Sequence, residues 1–360
     1  MSARLIIFAQ ELRSNSSYLS YVLRAFKARG VSFSRIIFAD KSSIDLPLLL
    51  EDAVAECKQV ALLCDERGQA LATRVLSTIS GSSLQGEGEQ LGWQNALAQE
   101  PNSVLLSAGE ALVNLLCVSS SKALPAMLLE GDAEQGFLLL DVDLESALIL
   151  LEAIAQGFGL SIYGTSLLEN LVQINIKTGP NSDVAGFYSA AATLFSGKLL
   201  QGTDLIAHNL HRLRRAGLCV SFAESCSGGM LAAALTANDG ASMVFEQGFI
   251  SYSAAAKECM LGVKSTQGAM IYSPFCAHEM ARGALQLSGA DFALAATGVL
   301  GALPSFGVEG GTVQLCAMRA NGAFLDERVV LYGDRLFRQQ SLALAANLLL
   351  ARLAPGLFLE

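Results

Sequence analysis

Apolar residues along this chain come in short runs of strand length. Between them lie stretches in which they recur every three or four positions, so the pattern predicts strands alternating with helices. RLIIFA (4–9), SYLSYVLRAFKARG (17–30), VSFSRIIFAD (31–40), LLLEDAVAEC (48–57) and QVALLCD (59–65) read as strand, helix, strand, helix, strand. That order predicts a parallel or mixed α/β sheet. The polar stretch 81–103 reads as a surface excursion. The chain then turns apolar again and closes in the helical ESALILLEAIAQGFG (145–159), which places a first domain at 1–158. A strand-like LVQINIKTG and a helical DVAGFYSAAATLFSG make residues 159–202 a small α+β middle domain.

Residues 203–360 carry the clearest alternation. A helix (203–217) leads to a strand (218–223), a helix from Met230 and a strand at GFISY (248–252). Helices at 254–262 and 275–287 precede the strand DFALAAT (291–297). Two further strands meet at Asn321-Gly322, a hairpin signal, before a last helix at 341–353. This predicts a sheet with helices on both faces, an α/β/α sandwich, and a ligand site in loops off the strand ends.

Composition narrows the function. The 360 residues are 52% hydrophobic and only 16% charged, ample for buried cores. A net charge of −9 and the absence of basic runs argue against nucleic acid, which is held by Lys and Arg. The mean hydropathy of +0.43 raises the question of a membrane. No uninterrupted run of ~20 apolar residues answers it, since Asp141, Asp143, Glu145 and Glu152 break the most apolar stretch. No secretory signal is visible at the N-terminus, so a cytoplasmic location and small-molecule ligands are expected. Eight cysteines without a C-x-x-C pair, and three histidines without ligand spacing, predict reduced core cysteines and no metal site.

The candidate chemistry lies in three strand-end loops: Glu224-Ser225-Cys226-Ser227, Ser251-Tyr252-Ser253 with Lys257, and Thr297-Gly298. Gly228 and Gly229 mark a helix start, whose free N–H groups suit an anion. Ser253 is placed to cap the next helix, with Lys257 one turn on. A lysine there serves as a base only if burial or a neighbouring cation keeps it neutral. Singly, each residue has a plainer reading: Lys257 a solvated lysine, Tyr252 a packed aromatic, and Cys226 a packing residue. The nucleophile-elbow and P-loop patterns are both absent.

Taken together, AESCSGG (223–229), GFISYSAAAK (248–257), ATG (296–298), GGTV (310–313) and GDR (333–335) resemble in order and spacing the C-terminal domain of the CinA family, the nicotinamide mononucleotide deamidases. The resemblance implies hydrolysis of the carboxamide of nicotinamide mononucleotide to nicotinic acid mononucleotide and ammonia, a step of pyridine-nucleotide salvage. It implies a Ser/Lys mechanism without metal or other cofactor, and a homodimer. By position, Lys257 becomes the base and Tyr252 a proton relay or oxyanion donor. The nucleophile becomes Ser242, which keeps one serine of the family's G-S-S, with Ser225 as second choice. Glu224, Cys226, Ser227, Gly228, Gly229, Thr297, Gly298 and Arg335 become substrate-binding residues, with the ESCSGG turn and Arg335 holding the phosphate.

Departures from the family pattern are Ala254 for asparagine, TGVLGA (297–302) for T-G-I-A-G-P, and Arg338 one residue early. They support the alternative of a catalytically decayed nucleotide-binding or interaction protein. Residues 6–30 resemble the family's molybdopterin-binding-like N-terminal domain. Ala9 and Gln10 replace Gly-Asp, however, and CDERGQALATR (64–74) stands where G-G-L-G-P-T-x-D-D is expected. The ADP-ribose pyrophosphatase activity that some relatives carry there is therefore expected to be lost.

Overall fold

The computed structural model describes residues 3–40, 45–85, 92–132, 135–179, 181–264 and 268–359. Part of the polar excursion, 86–91, lies outside them. The chain divides into two compact units, Met1–Glu134 and Gln135–Glu360.

The first unit runs β1 (Ala3–Ile7), α1 (Glu11–Ser14), α2 (Ser16–Ala28), β2 (Phe33–Phe38), α3 (Asp45–Glu56), β3 (Gln59–Cys64) and α4 (Gln69–Ser80). It continues with β4 (Leu84–Gln85), β5 (Gly92–Trp93), β6 (Ala98–Glu100), β7 (Ser103–Ala108) and β8 (Ala111–Cys117). Its six-stranded sheet has the order β2-β1-β3-β8-β7-β6, parallel through β8 and antiparallel beyond. β1 and β3 are buried along their whole length, as strands covered on both faces must be. Ile6 and Leu62 face the core with Leu46 and Leu76 of α3 and α4, while Leu5 and Leu63 face Val22 and Phe26 of α2.

The second unit begins with β9 (Gln135–Leu140), α5 (Leu144–Gly157), β10 (Leu160–Leu168), β11 (Leu171–Thr178), α6 (Val184–Leu194) and β12 (Leu199–Gln201). These build an antiparallel sheet, order β10-β11-β9-β12. The domain boundary expected at 158 falls inside this layer, because β9 pairs with β11 and β12 and α5 packs on β10. One face of the sheet (Phe137, Leu139, Ile174) packs under α5 and α6. The other (Leu138, Leu140, Leu171, Leu200) joins the core of the domain that follows, which is why residues 135–202 belong to the second unit.

That domain runs α7 (Leu205–Ala216), β13 (Val220–Glu224), α8 (Met230–Thr236), β14 (Gly248–Ile250), α9 (Ala254–Leu261), α10 (Pro274–Ser288) and β15 (Phe292–Gly298). It ends with β16 (Thr312–Arg319), β17 (Phe324–Val330), α11 (Arg335–Leu353) and α12 (Pro355–Phe358). The sheet order is β14-β13-β15-β16-β17, with the first three strands parallel. Alternation along the strands feeds two cores. Val220, Phe222, Leu294 and Leu315 face α7, α8 and α11, and Ala223, Ala295 and Cys316 face α9 and α10. The predicted sandwich and the hairpin between β16 and β17 are both present, with Gly322 at φ 91°. No helix of the described residues is long and apolar enough to cross a membrane.

Candidate active site

The turn after β13 is built by its own glutamate. The two-residue period that sends Val220 and Phe222 toward α8 sends Glu224 the same way, and it is almost wholly buried. Its carboxylate accepts the backbone N–H groups of Gly229 (2.9 Å), Leu231 (3.1 Å) and Ala232 (2.9 Å). Gly228 and Gly229 lie at φ 64° and 101°, backbone that glycine adopts without penalty, and this tight reversal brings the start of α8 back over the strand end. The helix start thus already holds an anion, the protein's own. Glu224, expected among the substrate-binding residues, fixes the turn with its carboxylate.

Ser225 follows directly, held by its N–H on the carbonyl of Ala296 (3.0 Å), one residue past the β13–β15 ladder. The loop after β14 is tied to the same place, since the Ser251 N–H donates to the Glu224 carbonyl (2.7 Å). From that loop α9 starts at its cap Ser253, whose hydroxyl accepts the Ala256 N–H (3.1 Å). One turn on, Lys257 points inward, 1% exposed. Its Nζ lies 2.7 Å from Ser225 Oγ and 2.9 Å from the Ser251 carbonyl, donating to both. No carboxylate pairs with Lys257 among the described ion pairs. Burial pulls the lysine below its ordinary value of 10.5, and Cys276 and Cys226 oppose this only in part. Cys226 itself is buried, and its thiol is pushed up to about 12 by desolvation, which suits the packing role read from the sequence.

The structure brings Lys257 to Ser225 and leaves Ser242 elsewhere. Ser242 lies exposed in a 3-10 turn, Ala241–Met243, before β14. The neighbouring Val244 carbonyl accepts the Val220 N–H (2.8 Å) at the start of β13, whereas Ser225 follows its end. A five-residue strand at ~3.3 Å per residue separates the two serines by roughly 15 Å. Within this chain, the first choice of nucleophile does not reach the base.

The other expected residues divide between packing and exposure. The Thr297 hydroxyl donates to the Ile271 carbonyl (2.6 Å). A Cβ at Gly298 would stand 2.3 Å from the Thr312 carbonyl oxygen, so glycine there allows β15 and β16 to close. Tyr252 is 62% exposed, and its hydroxyl accepts from Arg335 Nη2 (2.9 Å), at the start of α11. Ser227 is buried, and its hydroxyl has no hydrogen-bond partner among the described residues. Two further side chains support these loops. Gln339 Nε2 donates to the Ser227 carbonyl (3.1 Å), and Arg338 Nη1 holds the carbonyls of Leu300 (3.1 Å) and Gly301 (2.8 Å) in the shortened glycine loop.

The class these features define is an α/β/α domain carrying a buried serine–lysine pair at the ends of its parallel strands. Residues 203–353 match the CinA C-terminal domain. A CinA-like protein of Chlorobium chlorochromatii is 43% identical over 135 residues, covering 34% of this chain and 30% of that one. One of Mycobacterium sp. strain JLS is 41% identical over 149 residues, covering 39% and 34%. Among solved structures, the competence/damage inducible protein CihA of Agrobacterium tumefaciens shares 35% identity, covering 42% of this chain and 96% of that one, with a TM-score of 0.38. Over residues 203–353 the chain is similar to the CinA family. It spans about a third of the length of these curated relatives.

Proposed function

We propose that the C-terminal domain hydrolyses the carboxamide of nicotinamide mononucleotide, with Ser225 as nucleophile and Lys257 as general base. The reading rests on one observation: a buried lysine without a carboxylate partner among the described residues, its amine 2.7 Å from a serine hydroxyl. Neutral Lys257 takes the Ser225 proton while Oγ attacks the carboxamide carbon. The Cys226 amide, next in the chain, and the unpartnered Ser227 hydroxyl are donors for the oxyanion, a term worth ~3–4 kcal/mol per donor in other enzymes. The lysine, now charged, returns its proton to the leaving nitrogen, the C–N bond breaks, and ammonia departs from a seryl ester. Water then attacks the ester with Lys257 again taking the proton, which yields the nicotinate carboxylate and free Ser225.

Arg335, exposed beside Tyr252, is the cation offered to the nucleotide phosphate. The nucleotide itself follows from the sequence resemblance, and the Ser225–Lys257 geometry supports the amide chemistry.

The test is ammonia release from nicotinamide mononucleotide without added metal, beside Lys257→Ala. We expect turnover in the parent and a loss of ~10³-fold or more in the variant, with nucleotide binding retained. Binding without turnover in the parent would overturn the assignment.

A further inference from the structure

Away from the serine–lysine pair, three side chains with metal-ligating atoms meet on the β16–β17 side of the same sheet. Cys316 and Asp326 stand directly opposite each other in the antiparallel register, so their side chains share a face. That face lies under α10, whose Cys276, Ala277 and Met280 pack in the same core as Cys316. His278 follows on that helix, half-buried, toward the outer strand β17. Its ring stands edge-on to Phe324, centroids 4.4 Å apart at 83°, and Phe324 lies two residues before Asp326 on the same strand face. One ligand atom each from His278, Cys316 and Asp326 lies within 4.8 Å of the other two.

We propose that His278, Cys316 and Asp326 bind a divalent cation of the zinc class, which fastens α10 to the β16–β17 hairpin. Zinc takes nitrogen, sulfur and oxygen ligands at ~2.0–2.3 Å in a tetrahedron, so ligand atoms stand ~3.3–3.8 Å apart. The trio, within 4.8 Å of one another, would have to close by about 1 Å to reach that spacing, with water as the fourth ligand. A set of one imidazole, one thiol and one carboxylate selects against magnesium and calcium, which take oxygen ligands in larger number. The contact between His278 and Phe324 restricts the imidazole in advance and lowers the cost of ordering it. Residues 278, 316 and 326 show no ligand spacing in the sequence because a helix and two strands bring them together. The site shares no residue with the serine–lysine pair, so each reading stands or falls alone.

The experiment uses the full chain stripped with a chelator and titrated with Co²⁺, then with Zn²⁺. We expect about one equivalent of Co²⁺ to bind, with thiolate-to-cobalt charge transfer in the near ultraviolet that Zn²⁺ abolishes. Asp326→Asn, at an exposed position, and His278→Gln should each weaken Zn²⁺ binding at least ~10-fold, and Cys316→Ser should remove the charge-transfer band. Absence of the band in the parent would overturn the proposal. So would a band that survives Cys316→Ser in folded protein, or Zn²⁺ affinity unchanged in both Asp326→Asn and His278→Gln.

Discussion

Each α/β sheet of this chain carries a lysine beyond the ends of its parallel strands, and the two are in opposite states. In the first unit Lys122 follows β8 and pairs with Glu66, which follows β3; both side chains are more than half exposed. The hydrogen bond and charge of Glu66 raise Lys122 above its ordinary value. In the second unit Lys257 is buried against Ser225 and a carbonyl, and desolvation lowers it. The nearby carboxylate, Glu224, is committed to the amides of α8 and gives the lysine no partner. A strand end supplies a place for chemistry. Burial without a counter-charge is what makes a base.

The largest effect that would break this comparison, after loss of Lys257, is at Glu224. Glu224→Ala leaves one buried and two part-buried amides without their acceptor and should destabilise the domain by about 3 kcal/mol, measured by urea unfolding. An unchanged midpoint would remove Glu224 as the builder of the turn.

Next is the pH dependence of stability. Lys257 titrates lower in the folded protein than in the unfolded chain, so between the two values the unfolded state binds more protons and stability rises with pH. The rise should occupy the window just below 10.5, level off above it, and vanish in Lys257→Met. An identical slope in parent and variant would show that the lysine is not depressed.

The smallest effect sharpens the contrast from the other side. Lys122→Ala should leave the thermal midpoint and ammonia release unchanged, because an exposed pair contributes little. A large loss of either would mean that the strand-end cluster of the first unit has a role of its own.

Much of the site could be read from sequence because its parts are local. The strand before Glu224, the glycine pair and the Ser253 cap follow from periodicity and capping rules that act within a few residues. Lys257, by contrast, reads singly as a solvated lysine, and only the family resemblance places it in the site. What could not be read depends on which strand lies beside which. Ser225 meets Lys257 because the loop after β14 is hydrogen-bonded to the end of β13, while Ser242 sits at the start of that strand. The local sequences, AESCSGG and DGASMVF, do not show which serine meets the lysine; the parallel pairing decides it. The domain boundary was hidden for a related reason. The apolar run from Gly136 to Ile154 reads as one continuous segment of the first domain, yet β9 is buried on both faces by residues that come later in the chain.

The most direct test is ammonia release from nicotinamide mononucleotide by the parent, Ser225→Ala and Ser242→Ala under identical conditions. Turnover that disappears in Ser225→Ala and persists within a few-fold in Ser242→Ala is the predicted result. Turnover that survives Ser225→Ala and disappears in Ser242→Ala would contradict it and return the nucleophile to the far end of β13.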